Sequence, residues 1–452
     1  MLFNLLKKHD PEKTALCDET QTVSYGALDH EVEARLEALF GVDVLALALD
    51  NSVEWVLWDL AALKAGIPCV PIPPFFTDEQ KNHLLCSAGV THILSPDGLR
   101  DTGMEGGGLL PEGTAKVTFT SGTTGAPKGV CLPAAAMENV AGSIVEVLGA
   151  EFAGIHACIL PLAVLLENVA GVYAGLMAGC TIHLTGLQGF GKNYENLHDI
   201  LREASASSAI LVPEILRALM MQVIEKGALP DLQFIAIGGS KVDAALIAQA
   251  RKMGLPTYEG YGLSECASVV SLNTPHNDKP GSVGKLLPHV QARIIDDEIE
   301  IKTPGFLGYV GEAAPKVFKT GDLGKIDENG FLSVTGRKKN VLITSYGRNV
   351  SPEWVESTLL TQPAIAQVVV YGDAQPHLSA LIVPLSLQAD IQGAVDKANT
   401  ALPDYAQIHD FRIIPPFTVT SGTLTGTGRP RREKILTLYV KEKDHEFLQQ
   451  AS

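Results

Sequence analysis

The sequence lacks the features that mark several common protein classes. Its seven cysteines are odd in number and have no C-x-x-C spacing, so we interpret them as reduced core residues of a cytoplasmic protein. Positive charge is also scarce, with 35 Lys and Arg against 51 Asp and Glu and a net charge of −16. This balance gives no basic face for nucleic acid. The first ten residues are too short and too quickly charged for a secretion signal.

One long apolar run needs a separate explanation, because length alone would make it a candidate membrane span. Residues 157–184 are almost entirely apolar, but Pro161 lies near the front and Glu167-Asn168 near the middle. An ionisable group is costly in lipid. We therefore expect a buried strand followed by a buried helix, and no integral membrane segment.

The most informative stretch is a β-prone run that opens into a loop of hydroxyls and glycines, from Val117 to Val130. Glycines allow tight turns with inward N–H groups, hydroxyls add donors, and Lys128 adds a positive charge. The glycine spacing is wrong for a P-loop, and no Ser or Thr follows Lys128. A plain surface turn is the simpler alternative, but this order of residues indicates a polyphosphate cradle, made by Thr120, Ser121, Gly122, Thr123, Thr124, Gly125 and Lys128.

The rest of the chain predicts an α/β protein of more than one domain. Its 452 residues exceed one ordinary core. Helical and strand-like patterns alternate up to about residue 270, which favours mainly parallel sheets. Asn51-Ser52 can cap a helix from Val53 to Lys64, and Gly66 ends it. After residue 280, short strands and turns predict a small β-rich subdomain, and a compact α+β segment follows Arg337.

Four further motifs follow in order: Gly238-Gly239-Ser240-Lys241-Val242, Tyr258-Glu259-Gly260-Tyr261-Gly262-Leu263-Ser264-Glu265, Lys319-Thr320-Gly321-Asp322-Leu323-Gly324 with Gly336-Arg337, and Gly336 to Glu356. Together with the opening loop, they resemble the adenylate-forming (AMP-binding) superfamily, and the acyl-CoA synthetases in particular. The resemblance covers nearly the whole chain. It implies a large N-terminal α/β domain with parallel sheets and a small β-rich subdomain, followed by a mobile C-terminal α+β domain.

The resemblance also implies roles for individual residues around ATP and Mg²⁺. Adenine would lie at Gly238, Gly239 and Ser240 and stack on Tyr261, with Gly262 beside it. Ser264 would donate near the α-phosphate, and Glu265 would hold Mg²⁺, which suits a carboxylate shared with phosphate oxygens. Asp322 would accept the ribose hydroxyls, and Arg337 would reach ribose or phosphate.

The family rotates its C-terminal domain about a residue that corresponds to Lys339. We therefore expect an N-terminal ATP- and acid-binding domain at 1–338 and a mobile domain at 339–452. Tyr346 and Gly347 would line the channel for the thiol acceptor, either coenzyme A or the phosphopantetheine of an acyl carrier protein. Tyr346 replaces a glycine of many relatives, which would narrow this channel.

Two departures from the family pattern bear on chemistry and substrate. Arg429 stands where the family has its catalytic lysine, and the two side chains differ in shape. Three explanations are open: Arg429 takes the role of the catalytic lysine, Lys434 moves into the site and takes it, or adenylation is slow. We favour Arg429. In the acid pocket, Val164 falls where many fatty acyl ligases have histidine or an aromatic residue. Glu167 is either a polar group of this pocket or a structural partner.

These motifs predict an ATP-dependent ligase that converts an apolar carboxylic acid, for which we expect a fatty acid, to acyl-AMP and then transfers the acyl group to a thiol. Lys128, Glu265 and Arg429 would carry the catalysis. No G-x-S-x-G elbow is present, and this chemistry requires no protein nucleophile. The alternatives are an acyl-AMP ligase that loads a carrier protein, and a nucleotide-binding homologue with impaired turnover.

Overall fold

A computed structural model describes residues 2–104, 106, 108–120, 127–149, 153–191, 194–302, 305–425 and 428–441. Its strands are, in chain order, β1 Thr14–Cys17, β2 Thr22–Ser24, β3 Leu45–Leu47, β4 Cys69–Pro71, β5 His92–Ser95, β6 Gly98–Asp101, β7 Lys116–Thr120, β8 Lys128–Leu132, β9 Ile155–Cys158, β10 Thr181–Leu184, β11 Ser208–Leu211, β12 Phe234–Ile237, β13 Thr257–Leu263, β14 Ser268–Leu272, β15 Lys285–Leu286, β16 Ala292–Ile295, β17 Glu298–Ile301, β18 Gly308–Tyr309, β19 Glu312–Ala313, β20 Phe318–Ile326, β21 Leu332–Arg337, β22 Leu342–Ile343, β23 Asn349–Val350, β24 Ile365–Tyr371, β25 Leu378–Pro384 and β26 Ile408–Ile413.

The α-helices are α1 Leu2–Leu6, α2 Tyr25–Glu33, α3 Val53–Ala65, α4 Asp78–Ala88, α5 Ala134–Leu148, α6 Ala174–Ala178, α7 Leu197–Glu203, α8 Pro213–Lys226, α9 Ala244–Lys252, α10 Pro352–Leu359, α11 Ile391–Asn399 and α12 Arg432–Leu436. Two π-helical segments cover Leu166–Tyr173 and Thr437–Lys441. Among the described residues, no helix has both the length and the hydropathy required to cross a bilayer.

Two large sheets form the N-terminal part of the protein. In one, the strand order is β15-β14-β13-β12-β11-β9-β10-β1-β2, with parallel pairing from β13 to β1. In the other, the order is β19-β18-β8-β7-β4-β3-β5-β6, with parallel pairing among β7, β4, β3 and β5. Buried apolar side chains fill the space around these strands, which confirms the predicted α/β class with parallel sheets.

Smaller sheets follow along the chain. Strands β16, β17, β20 and β21 form an antiparallel sheet, which agrees with the predicted β-rich subdomain. Beyond Lys339, strands β24, β25 and β26 form a three-stranded sheet packed with α10 and α11 around its own apolar clusters. The mixed architecture of a large and a small part is therefore the one expected from the sequence.

The apolar run at 157–184 confirms the expected strand followed by helix. Strand β9 ends at Cys158, and the π-helix Leu166–Tyr173 continues directly into α6. A buried polar network anchors this π-helix. Lys116 Nζ lies 2.8 Å from Asp59 Oδ1 and also donates to the side chains of Asn168 and Tyr173. Lys116 thereby links strand β7 to the helix that follows β9.

Candidate functional site

A single large cavity contains most of the residues singled out from the sequence. It has a volume of about 1890 Å³ and lies between the N-terminal sheets and the C-terminal part of the chain. The predicted residues that line it are Thr120, Lys128, Val164, Gly238, Gly239, Ser240, Tyr261, Gly262, Ser264, Glu265, Asp322, Arg337, Lys339 and Arg429. Ser121, Gly122, Thr123, Thr124 and Gly125 lie outside the described residues.

Three of these residues form a hydrogen-bonded cluster. Tyr261 donates its hydroxyl to Asp322 Oδ2 at 2.7 Å, and Arg337 Nε lies 2.8 Å from Asp322 Oδ1. Asp322 and Arg337 are direct partners in the β20–β21 pairing, so the sheet register itself brings them together. The result is a fixed carboxylate beside an aromatic ring, a pair that can accept the hydroxyls of a ribose and cover an adjacent flat base.

Glycines at the edge of the same cavity keep the backbone accessible. Gly239 has φ +86°, a conformation that favours glycine, and a Cβ on Gly238 would lie 3.4 Å from the Gly260 carbonyl oxygen. A Cβ on Gly262 would lie only 1.9 Å from the Ser268 carbonyl oxygen. Gly262 therefore permits the close approach of β13 and β14, and Gly238 lies near β13 where β12 ends. Glycines at these positions leave main-chain groups accessible to a planar ligand.

The part of the cavity that contains Thr120 and Lys128 is built on two paired strands. Strands β7 and β8 pair in antiparallel fashion, with Thr120 directly opposite Lys128. Lys128 Nζ lies 5.1 Å from the centroid of the Tyr309 ring, and the Tyr309 hydroxyl donates to Glu265 Oε1 at 2.8 Å. A cation and a carboxylate therefore face one cavity without pairing directly, because the tyrosine lies between them.

Glu265 suits a magnesium ion that is shared with phosphate. Mg²⁺ prefers one or two carboxylates together with phosphate oxygens and water, rather than a closed protein cage. One Glu265 oxygen accepts the Tyr309 hydroxyl, and no ion pair of Glu265 occurs within the described part of the chain. The second oxygen can therefore face a cation on the cavity side, and the residues present fit the group.

One part of the cavity lining, called the apolar branch below, consists of apolar side chains. Val164 lines it together with Ile144, Val145 and Leu148 of α5 and with Ala170, Ala174 and Ala178 of the opposing helical segment. Small alanine side chains and branched aliphatic ones line this part of the cavity, and such a lining suits an apolar group. Val164 lies among these apolar residues, and its role in binding the acid stays a prediction.

Glu167 does not belong to that lining. Its side chain is fully buried and accepts hydrogen bonds from His156 Nε2 at 2.9 Å and from the backbone N–H groups of Ile159 and Leu160. The structure thus supports the structural alternative for Glu167, a brace between β9 and the π-helix. His156, held by Glu167 and by Ser208 at 3.0 Å, lines the cavity instead.

Arg429 enters the cavity from the C-terminal part. Its backbone N–H donates to Thr425 Oγ1 at 3.0 Å, and its carbonyl accepts from the Thr425 N–H at 2.7 Å. Its side chain lies within electrostatic range of Arg337, Asp322 and Tyr261. Desolvation inside the cavity and the like charge of Arg337 lower the pKa of Arg429, although a guanidinium remains charged. Lys434 also lines the cavity, but its ammonium group lies against Gly422.

Two predicted residues lie elsewhere in this conformation. Tyr346 and Gly347 form the turn between β22 and β23, and Tyr346 is 74% exposed to solvent. Neither residue lines the cavity. Lys339 is exposed in a short helical turn, Lys338–Asn340, that connects β21 to β22, which is the place where a hinge would be free to rotate.

The cavity also has lining residues to which no role was assigned from the sequence, among them Tyr309, Glu259 and Lys241. Burial raises the pKa of Glu259 to about 8, against the opposing charge of Lys241. Burial also lowers the pKa of Lys241, whose ammonium donates to the Val334 carbonyl at 3.2 Å. Alternate residues of a strand point to the same face, and Glu259 lies two positions before Tyr261 on β13. This spacing was the one signal in the sequence that could have placed Glu259 beside Tyr261.

Comparisons with known proteins identify one enzyme family. The family described as AMP-binding enzyme matches residues 6–107 and 104–319, and the AMP-binding enzyme C-terminal domain matches residues 339–449. A long-chain-fatty-acid–CoA ligase of Mycobacterium bovis is 36% identical over 241 residues, which are 45% of this chain and 40% of that ligase. The chain therefore spans only about two fifths of the length of that relative.

Other relatives match over a greater length at lower identity. A 2-succinylbenzoate–CoA ligase of Bacillus velezensis is 28% identical over 414 residues, which are 81% of this chain and 83% of that ligase. Among solved structures, the O-succinylbenzoate coenzyme A synthetase of Bacillus subtilis in complex with ATP and magnesium ion has a TM-score of 0.78 at 22% identity. That likeness covers 96% of this chain and 98% of the other, and it shows a shared fold.

Proposed function

This chain belongs to the AMP-binding enzyme family, and from that premise we propose that it activates an apolar carboxylic acid with ATP and transfers the acyl group to a thiol. The observation that carries the proposal is the continuity of the cavity. Its volume of about 1890 Å³ exceeds the roughly 300–1,000 Å³ of ordinary ligand pockets. One space of this size can hold a nucleotide and an acid side by side.

The polar end is assigned to ATP. Tyr261 would cover the adenine, Asp322 and Arg337 would hold the ribose, and Ser264 would donate near the α-phosphate. Lys128 would face the phosphates, and Glu265 would hold Mg²⁺, which would supply charge neutralisation for them. Relatives whose names state CoA ligation, and a structural neighbour solved with ATP and magnesium, support this assignment.

The apolar branch is assigned to the acid. A carboxylate at its mouth would lie between Val164 and the nucleotide end, with its apolar body between α5 and α6. Relatives are named for a long-chain fatty acid and for 2-succinylbenzoate, so names alone leave the acid open. The aliphatic lining supports an aliphatic acid, and we propose a fatty acid as the substrate.

The chemistry requires positioning more than it requires a protein nucleophile. In the first step, a carboxylate oxygen attacks the α-phosphorus, the bond to the β-phosphate oxygen breaks, and pyrophosphate leaves. Arg429 would stabilise the charge that develops on the α-phosphate and carboxylate oxygens. In the second step, a thiol sulfur attacks the acyl carbonyl, the bond to AMP breaks, and the thiol proton passes to solvent.

The second step needs a different position of the C-terminal part. We propose that residues 339–452 turn about Lys339, which would bring Tyr346 and Gly347 from the surface to the cavity and line a path for the thiol. The separate apolar clusters beyond residue 341 support rotation as a unit. We propose coenzyme A as the thiol, with carrier-protein phosphopantetheine as the competing acceptor.

A two-stage incubation tests the acid and the acceptor together. The protein is incubated with Mg·ATP and one acid from a panel of short and long aliphatic, aromatic and keto acids, and acyl-AMP is measured by mass spectrometry. Coenzyme A or a phosphopantetheinylated carrier protein is then added. We expect acyl-AMP with long aliphatic acids and acyl-CoA after the addition. Activation of aromatic acids alone would overturn the fatty acid assignment.

A further inference from the structure

We propose that Tyr309 is a positioning residue that keeps Lys128 and Glu265 apart and orients both toward the phosphates of the nucleotide. Its hydroxyl donates to Glu265 Oε1 at 2.8 Å, while the face of its ring lies 5.1 Å from Lys128 Nζ. One side chain therefore contacts the cation and the carboxylate at the same time. The proposal rests on the nucleotide assignment made above and extends it to a residue outside the sequence motifs.

The backbone places Tyr309 there by several independent contacts. Strand β18 pairs with β8, with Tyr309 opposite Val130, two residues beyond Lys128. Gly308 has φ +134°, and a Cβ there would lie 2.1 Å from the Glu312 carbonyl oxygen, so the tight β18–β19 hairpin requires this glycine. Phe306 packs edge-on against the tyrosine ring, with centroids 5.4 Å apart.

The position of Tyr309 affects how the opposite charges of Lys128 and Glu265 interact. A direct ion pair between Lys128 and Glu265 would be electrostatically favourable. Such a pair would also neutralise the two charges that are needed to bind the phosphates and their cation. The ring instead offers Lys128 its negative face, which holds the ammonium without cancelling its charge. The hydroxyl occupies one oxygen of Glu265 and aims the other into the cavity.

Hydrogen bonds to ligating carboxylates fix their orientation, and loss of such a partner typically costs about 10–100-fold in metal affinity. Removal of the hydroxyl and removal of the ring should therefore have different effects. Tyr309→Phe retains the ring and should weaken only the magnesium-dependent part of nucleotide binding. Tyr309→Leu removes both contacts and should also weaken magnesium-free binding, because Lys128 can then reach Glu265.

The test measures binding without turnover. Isothermal titration calorimetry with α,β-methylene-ATP, which cannot transfer AMP, is performed with and without Mg²⁺ on the full chain. For Tyr309→Phe we expect the magnesium-dependent gain in affinity to fall about 10-fold, with magnesium-free affinity within twofold of wild type. For Tyr309→Leu we expect magnesium-free affinity to fall about threefold as well.

Tyr258→Phe is the matched control, since it removes a tyrosine hydroxyl from strand β13 at a residue that does not line the cavity. It should leave both affinities unchanged. If Tyr309→Phe binds as wild type does under both conditions, the positioning role is wrong even though the nucleotide site stands. If wild type binds no nucleotide, the proposed function fails and the role of Tyr309 fails with it. Should Tyr309→Leu not fold, Tyr309→Phe decides alone.

Discussion

Arg429 offers the sharpest prediction, because it replaces the lysine that the family pattern places at this position. Its guanidinium lies near Asp322, Tyr261 and Arg337 in the nucleotide end of the cavity. Lys434, the competing cation, has its ammonium group against Gly422. We therefore expect Arg429→Ala to slow acyl-AMP formation strongly, whereas Lys434→Ala should retain most of the rate.

The expected magnitude follows from the role of a fixed donor in a confined site. Loss of one donor aimed at developing charge costs about 2.7–4 kcal/mol, or about 100–1,000-fold in rate. Arg429→Lys should recover part of this loss, because charge returns but the planar fork does not. Transfer to the thiol from supplied acyl-AMP should remain within about threefold of wild type, since in the proposed mechanism the α-phosphate has then reacted and the C-terminal part has turned.

The assay separates the two half-reactions: single-turnover formation of acyl-AMP, and release of AMP from supplied acyl-AMP in the presence of coenzyme A. Arg412→Ala is the matched control, since this arginine of β26 bonds the Tyr439 carbonyl and does not line the cavity. An equal loss in both half-reactions for Arg429→Ala would refute the assignment. A larger loss of adenylation for Lys434→Ala would assign the role to Lys434 instead.

Four further predictions concern the structure around the site. Lys116→Met should destabilise the protein by about 3–5 kcal/mol in chemical denaturation, because it leaves the Asp59 carboxylate buried without its partner; adding Asp59→Asn should restore most of the loss, and additive losses would contradict this reasoning. Val164→Trp should shift acyl-AMP formation from long to short acids, and an unchanged chain-length profile would exclude Val164 from the acid path. Glu259 has a folded-state pKa of about 8, above its unfolded value, so the wild type should lose stability relative to Glu259→Gln as pH rises from about 5 to 8, by at most about 1.4 kcal/mol per pH unit; a difference in melting temperature that is constant with pH would contradict the burial of this carboxyl. Lys339→Pro should spare acyl-AMP formation and block thioester formation, and equal retention of both would refute the hinge.

Local features of the fold were predictable from the sequence because they depend on neighbouring residues. Ser52 accepts a hydrogen bond from the Trp55 N–H at 3.2 Å and Gly66 ends α3 with φ 71°, as the capping pattern predicts. Strand β7 ends at Thr120, the residue at which the predicted phosphate loop begins in the sequence. The antiparallel pairing of β7 with β8 was not predicted, because the residues between Thr120 and Lys128 give no sequence signal that these two residues lie opposite each other.

Long-range contacts explain what the sequence did not predict. Lys116 reads as an ordinary strand residue, and its burial depends on Asp59, which lies 57 positions earlier. Tyr309 belongs to a strand of only two residues, too short for any periodic signal, and its importance comes from Lys128 and Glu265 in distant segments. The role of Glu167 remained open for the same reason, since its partner His156 becomes adjacent only when β9 and the π-helix pack together.

The most direct test of the central claim is acid-dependent exchange of labelled pyrophosphate into ATP by the wild-type chain with Mg²⁺. Exchange requires reversible formation of an acyl-AMP and needs no thiol, so it isolates the chemistry assigned to the cavity. We predict exchange in the presence of a long aliphatic acid and none without an acid. Measurable ATP binding with no exchange for any acid of the panel would contradict the assignment and favour a nucleotide-binding protein without turnover.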